Sequence, residues 1–251
     1  MELREFFAEH PRAALAFSGG VDSSYLLYAG LKWAEELGVY YVKSAFQPEF
    51  ERRDALRLAE ELGATVTVLE ADVLSCGDVT ANPPDRCYYC KRVILATIKA
   101  AAQADGFDQV LDGTNFSDDI SDRPGFKALG EEGVLSPLRL CGLTKARIRE
   151  LSREAGLFTW DKPAYACLAT RVKTGETITA ETLRAVEAGE DALFALGFTD
   201  FRVRTSRGAA KLQFIPEQLP EAERRLGEIR DKLAPYFESV TIDPAGREKS
   251  Q

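Results

Sequence analysis

Ser18-Gly19-Gly20-Val21-Asp22-Ser23-Ser24 is the stretch on which the fold of this 251-residue chain turns. Two adjacent glycines let the backbone turn tightly, three serines supply hydroxyls, and Asp22 can hold the turn or help place a divalent cation. On its N-terminal side, residues 12–17 form an apolar strand candidate. On its C-terminal side, Leu26, Leu27, Leu31 and Trp33 recur with helical spacing across residues 22–37, and Gly38 ends the run. A glycine-serine turn at that junction aims backbone N–H groups and the helix dipole at an anion. The spacing is neither Walker A, which needs a Lys after its second Gly, nor the dinucleotide fingerprint GxGxxG. The competing structural explanation is a plain Gly-Ser turn with an Asp cap.

Outward from this loop the pattern repeats. Residues 39–46 read as a second strand, 49–62 as a second helix stopped by Gly63, and 65–69 as a third strand rich in β-branched residues. A loop through 76–85 precedes a helix at 87–104, a short strand at 109–113 and a helix at 145–155 with Thr144 as N-cap. This is an α/β fold: a parallel twisted sheet with helices on both faces. Residues 115–133 are polar and Asp-rich, the composition of a long functional loop. Around residues 160–175 the alternation stops. A helix at 180–196, strands at 201–205 and 210–215, a helix at 220–233 and a strand at 239–242 then make a small α+β unit, and 246–251 reads as a loose tail. The expected domains are 1–165 and 166–251. Ser44 to Gln47 and Gly113-Thr114-Asn115 fall where such a sheet carries ligand loops, with ordinary turn chemistry as the alternative.

Composition narrows the function. Lys and Arg number 32 against 40 Asp and Glu, so the chain carries a net charge of -8, and its bulk field repels nucleic acid and anionic membranes. The N-terminus MELREFFAEH lacks the apolar stretch of a signal peptide, no run is long enough to span a bilayer, and a cytoplasmic protein is expected. One His, His10, excludes His-rich metal cages, and five Cys make an odd count for a disulfide framework. Cys87 and Cys90 stand in NPPDRCYYCK as a C-x2-C pair at a helix start, a spacing suited to metal or cluster ligation or redox chemistry. Cys167 stands in KPAYACLATR, and a lone Cys there is most often a buried small hydrophobe. Three thiolates with no nearby His do not complete a structural zinc site, but they suit a cubane cluster with one iron left open. Cys76 and Cys141 have no assigned role. Arg171 can pair bidentately with a carboxylate or phosphate, or form a salt bridge at the domain junction. Arg202 and Arg204 alternate on one strand and so share a face, while Glu187 and Glu190 can orient them or simply form a charged helix surface. Trp160-Asp161-Lys162 can add stacking or a cap.

The SGGVDSS segment resembles the pyrophosphate loop (PP-loop) of the N-type ATP pyrophosphatases. Together with NPPDRCYYCK, LDGTNFSDD, SPLR and KPAYACLATR, it makes the chain from Ser18 to about Phe214 similar, in order, to the LarE family of ATP-dependent sulfur transferases. The resemblance implies that Ser18, Gly19, Gly20, Asp22, Ser23, Ser24, Ser44, Gly113 and Thr114 bind ATP, with Mg2+ sharing the phosphate charge. The implied substrate is pyridinium-3,5-biscarboxylic acid mononucleotide, an anion gripped by Arg171, Arg202, Arg204 and Glu190, whose carboxylates are adenylated and converted to thiocarboxylates. The family has two branches. In one, the cysteine matching Cys167 sacrifices its sulfur and ends as dehydroalanine. In the other, three cysteines matching Cys87, Cys90 and Cys167 hold a [4Fe-4S] cluster that passes on sulfide from an external source. Having all three, this chain resembles the second branch and, like the family, is expected to form trimers or hexamers. A tRNA thiolase is the rival within the superfamily, opposed by the acidic charge and the absence of a long basic stripe. A nucleotide-binding module with a structural metal and an amidating ligase are the remaining alternatives.

Overall fold

The computed structural model describes residues 1–119 and 124–248. In chain order the elements are α1 Leu3–Glu9, β1 Arg12–Ala16, α2 Val21–Trp33, β2 Glu36–Lys43, α3 Glu49–Glu61, β3 Thr67–Glu70 and α4 Gly77–Thr80. There follow α5 Arg86–Ala104, β4 Val110–Leu111, α6 Pro124–Glu131, α7 Pro137–Leu140, α8 Lys145–Glu154 and α9 Ala180–Ala195. The last are β5 Phe201–Ser206, β6 Ala209–Phe214, α10 Leu219–Arg224, α11 Leu226–Leu233 and β7 Ser239–Ile242. Two compact units result: Met1–Val73 with Asp85–Lys162, and Leu74–Pro84 with the chain from Pro163 onward. No helix among the described residues is long and apolar enough to cross a membrane.

The first unit holds a parallel four-stranded sheet in the order β3-β2-β1-β4, flanked by helices. Ala13, Ala14 and Leu15 of β1 are fully buried, as a central parallel strand covered on both faces requires. Leu26 and Leu27 of α2, Leu58 of α3 and Ile148 of α8 close over it. Strand order reverses at β1, with β2 and β3 on one side and β4 on the other, so a crevice opens outside the carboxyl ends of β1 and β4. The loop at residues 18–24 follows β1 directly and sits at this switch point.

Several elements differ from their sequence readings. The charged N-terminus forms α1, whose Phe6 and Phe7 are buried in the core, each side chain contributing roughly 1.5–3 kcal/mol of burial energy. Helix α2 ends at Trp33, not at residue 37. The N–H groups of Glu35 and Glu36 donate to Pro11 O, and Glu36 and Leu37 pair beside Arg12 and Ala13 in the sheet. The segment read as one loop from 115 to 133 contains α6; its residues 120–123 lie outside the described residues. The helix expected at 220–233 is two, with Arg225 (φ -98°, ψ 15°) at the break.

In the second unit β5 and β6 pair antiparallel and β7 adds parallel to β6, giving a small mixed sheet. Arg207 and Gly208 both have positive φ (48° and 77°), the geometry of a two-residue hairpin turn. Helix α9 packs Leu183, Val186 and Leu193 into the unit's core. Asn82, buried at positive φ (54°), clips the Leu74–Pro84 segment to this unit: its Nδ2 donates to Lys173 O at 3.0 Å and its carbonyl accepts from Gly175 N at 2.9 Å. The tail is tied down as far as it is described, with Arg247 N–H donating to Phe214 O at 2.9 Å and the Arg247 side chain paired to Asp200. Residues 249–251 lie outside the described residues.

Candidate functional site

The loop after β1 is built to present donors. Gly19 takes φ +74°, and a Cβ there would come 2.6 Å from Ala55 Cβ, so only glycine lets α3 approach this closely. Gly20 is the N-cap of α2 and brings no capping side chain, which leaves the first-turn N–H groups without partners inside the helix. Ser18 and Ser23 fix the turn from within: their hydroxyls lie 3.0 Å apart and Ser23 Oγ donates to Gly20 O at 3.1 Å. Ser24 is fully buried, and its Oγ has no hydrogen-bond partner among the described residues. A buried, unspent hydroxyl in the first turn of a helix suits an anion.

Asp22 Oδ2 accepts from Lys145 Nζ at 2.7 Å, while its Oδ1 is buried with no hydrogen-bond partner among the described residues. Burial raises the Asp22 carboxyl above the ordinary carboxylate range, against the lowering pull of Lys145. An unpartnered carboxylate oxygen in this position can take a cation. Lys145 went unnoticed in the sequence; its only signal was its place just after the Thr144 cap, which the structure confirms through Thr144 Oγ1 accepting from Arg147 N.

Gly113 stands against this loop, since a Cβ there would meet Ser23 N at 2.9 Å. Behind it Asp112, buried and also missed in the sequence, accepts from Thr114 Oγ1 and from Ser136 Oγ, both at 2.6 Å, and so fixes the turn after β4. Asn115 is buried, its N–H on Asp118 Oδ2 and its Oδ1 on Ser117 N–H. Ser44, at the carboxyl end of β2, donates to Gln47 Oε1 at 2.6 Å. Ser18 to Ser24, Gly113 and Lys145 thus come together, with Thr114 in the adjoining turn.

Cys87 and Cys90 lie in the first turn and a half of α5, three residues apart and therefore on one side of it. Cys87 is exposed and has Arg86 Nη2 3.7 Å from its Sγ; the Arg86 guanidinium lies over the Phe46 ring. No disulfide joins any of the five cysteines. Among the described residues no group of three or more His, Cys, Asp or Glu is gathered as a metal site. The pair belongs to the first unit and Cys167 to the second.

In the second unit Cys167 begins the short turn Leu168–Arg171, and its carbonyl accepts from Thr170 Oγ1 at 2.8 Å. Arg171 is fully buried: its Nε donates to Glu190 Oε1 at 2.7 Å and its Nη1 to Ala166 O at 3.0 Å. Burial works against the Arg171 charge, but Glu190 outweighs it and holds the guanidinium above its usual pKa. Glu190 also accepts from Val203 N and from the Tyr165 hydroxyl. Arg202 and Arg204 do share one face of β5, and their hydrogen bonds go to uncharged acceptors. Arg202 donates to the carbonyls of Phe201 and Ala164, and Arg204 to Thr170 O and Gln213 Oε1. Burial, reinforced by the charges of Arg171 and Arg247, pushes Arg202 down to about 10 and lowers Arg204 as well. Two guanidiniums crowded by Arg171 and Arg247, with no carboxylate hydrogen-bonded to them among the described residues, favour an anionic ligand. Tyr165 was missed in the sequence, its signal being only an aromatic residue two positions before the cysteine.

No protein-family model matches the chain. It is 36% identical over 250 residues to an uncharacterized protein of Synechocystis sp., covering 97% of this chain and 92% of that protein. It is 34% identical over 245 residues to the pyridinium-3,5-bisthiocarboxylic acid mononucleotide synthase of Lactiplantibacillus plantarum, covering 94% of this chain and 86% of that protein. An uncharacterized protein of Methanocaldococcus jannaschii is 28% identical over 242 residues, with 96% and 92% covered.

Proposed function

The chain belongs to the LarE family of pyridinium-3,5-bisthiocarboxylic acid mononucleotide synthases, and on that premise we propose that it is an ATP-dependent sulfurtransferase acting on pyridinium-3,5-biscarboxylic acid mononucleotide. The observation that carries this reading is the reach of the match, 94% of the chain, which takes in most of each unit.

The reaction divides into two displacements. A substrate carboxylate oxygen attacks the α-phosphorus of ATP, and the bond to the β-phosphate oxygen breaks to release pyrophosphate. A sulfur nucleophile then attacks the activated acyl carbon, and the bond to AMP breaks. First-turn N–H groups of α2, with the unspent Ser24 hydroxyl, neutralise the departing pyrophosphate. Asp22 Oδ1 is the ligand offered to Mg2+, and Lys145 adds a second cation beside it. The substrate's anionic groups fall to Arg202 and Arg204. Cys87, Cys90 and Cys167 are the thiols that would hold a [4Fe-4S] cluster, and the cluster would supply sulfide when bound. The chain's scarcity of His is no obstacle, because sulfide needs no imidazole base.

Anaerobically prepared protein given ATP, Mg2+ and the pyridinium dicarboxylate mononucleotide should release pyrophosphate only when that mononucleotide is present. Absence of substrate-dependent pyrophosphate overturns the reading. The same preparation should contain iron and acid-labile sulfide, both lost in Cys87→Ala. Sulfur transfer by iron-free protein, with Cys167 converted to dehydroalanine, would show that Cys167 itself is the donor.

A further inference from the structure

The turn bearing Cys167 is laced by three guanidiniums. Arg202 Nη2 donates to Ala164 O at 3.3 Å, Arg171 Nη1 to Ala166 O at 3.0 Å and Arg204 Nη1 to Thr170 O at 2.6 Å, so the backbone is held on both sides of the cysteine. Tyr165 sits among them. The Arg171 guanidinium lies 4.7 Å and that of Arg202 5.4 Å from its ring centroid, and its hydroxyl is on Glu190, which also grips Arg171 and Val203 N. One aromatic ring therefore joins the half-buried Arg202, which has no carboxylate partner among the described residues, to the fully buried Arg171–Glu190 pair.

We propose that Tyr165 is a positioning residue that couples anion binding at Arg202 and Arg204 to the order of the Cys167 turn. The inference rests on the reading that these two arginines take the substrate's anionic groups. A guanidinium has five N–H donors. Arg202 and Arg204 each use two of theirs on protein acceptors, so an anion can bind without displacing the loop carbonyls. It would offset the repulsion that Arg171 and Arg247 exert on both. Arg202, relieved of that repulsion, stacks more firmly on Tyr165, and Tyr165 passes the constraint to Glu190 and Arg171. The sulfur-bearing turn is thus fastened when the substrate's anion arrives.

Hydrogen–deuterium exchange of full-length protein, read on the peptide covering residues 163–172 with and without inorganic phosphate, tests this. Phosphate should slow exchange of that peptide about fivefold or more, the lower end of ordinary coupling between sites. Tyr165→Phe keeps the ring and should keep most of the effect. Tyr165→Leu should lose it while still binding phosphate by calorimetry. If wild-type protein binds phosphate and the peptide does not respond, or if Tyr165→Leu responds fully, the coupling is wrong. If phosphate does not bind, or binds equally well to Arg202→Gln/Arg204→Gln, the anion-site reading fails and the coupling falls with it.

Discussion

Gly113→Ala probes the nucleotide site with a single methyl group. The added Cβ would lie 2.9 Å from Ser23 N, 3.2 Å from its Cα and 3.3 Å from its Cβ. The obstacle is backbone in the first turn of α2, fixed by the Ser23 hydroxyl on Gly20 O and Ser18, so no flexible tip can swing away. Relief requires the helix start or the turn after β4 to move. Overpacking of this kind costs about 1–3 kcal/mol. Taken up at the loop, it misplaces the donors that cradle phosphate and lowers ATP affinity about 5- to 150-fold. Gly63→Ala is the control. It sits at φ +70° with nothing within 4 Å of the new methyl, so it should cost about 1 kcal/mol of stability and leave ATP binding unchanged. Calorimetric titration with ATP and Mg2+, paired with thermal unfolding, separates the two effects. Should Gly113→Ala bind ATP as tightly as wild type while melting earlier, the strain bypasses the loop and the site assignment is wrong.

Arg171→Gln leaves the Glu190 carboxylate buried without its cation and should destabilise the second unit by about 3–5 kcal/mol in denaturant unfolding, part of which the double change Arg171→Met/Glu190→Leu restores. Because burial raises the folded-state Asp22 pKa, its contribution to stability is present below the ordinary carboxylate pKa and is lost as pH rises through the raised one. Asp22→Asn should therefore gain stability over wild type progressively as pH climbs from the ordinary carboxylate range toward neutrality, while losing Mg2+-dependent ATP binding; a pH-independent difference would refute the burial argument. In iron-free protein, exposed Cys87 should be alkylated faster than Cys141, whose thiol burial pushes up, as peptide-resolved mass spectrometry would record.

Much of the first unit was legible because its strands and helices are bounded by Gly and turn signals and its apolar positions keep a clear period. What the sequence hid depends on distant partners. Glu36 and Leu37 continue a helical pattern locally, but pairing with Arg12 and Ala13 draws them into β2. Phe6 and Phe7 are adjacent apolar residues in a charged heptamer, too short a run for periodicity to reveal α1. The glycine loop after β1 was readable because its turn chemistry is local. Lys145 reaches Asp22 from 123 residues away, and Tyr165 meets Glu190 from 25 away; neither pairing leaves a trace in spacing. Arg171 reads in the sequence as a partner for an anion or for a salt bridge, and the structure adds that its fork is spent on Glu190 and the loop backbone.

Mass spectrometry of the pyridinium mononucleotide after one anaerobic turnover with ATP and Mg2+, alongside the intact mass of the protein, tests the proposed reaction most directly. The proposed sulfur transfer requires replacement of carboxylate oxygen by sulfur, one AMP formed for each sulfur inserted, and an unchanged Cys167. A mononucleotide that stays fully oxygenated while ATP is consumed, or thiolation that proceeds without ATP, would contradict it.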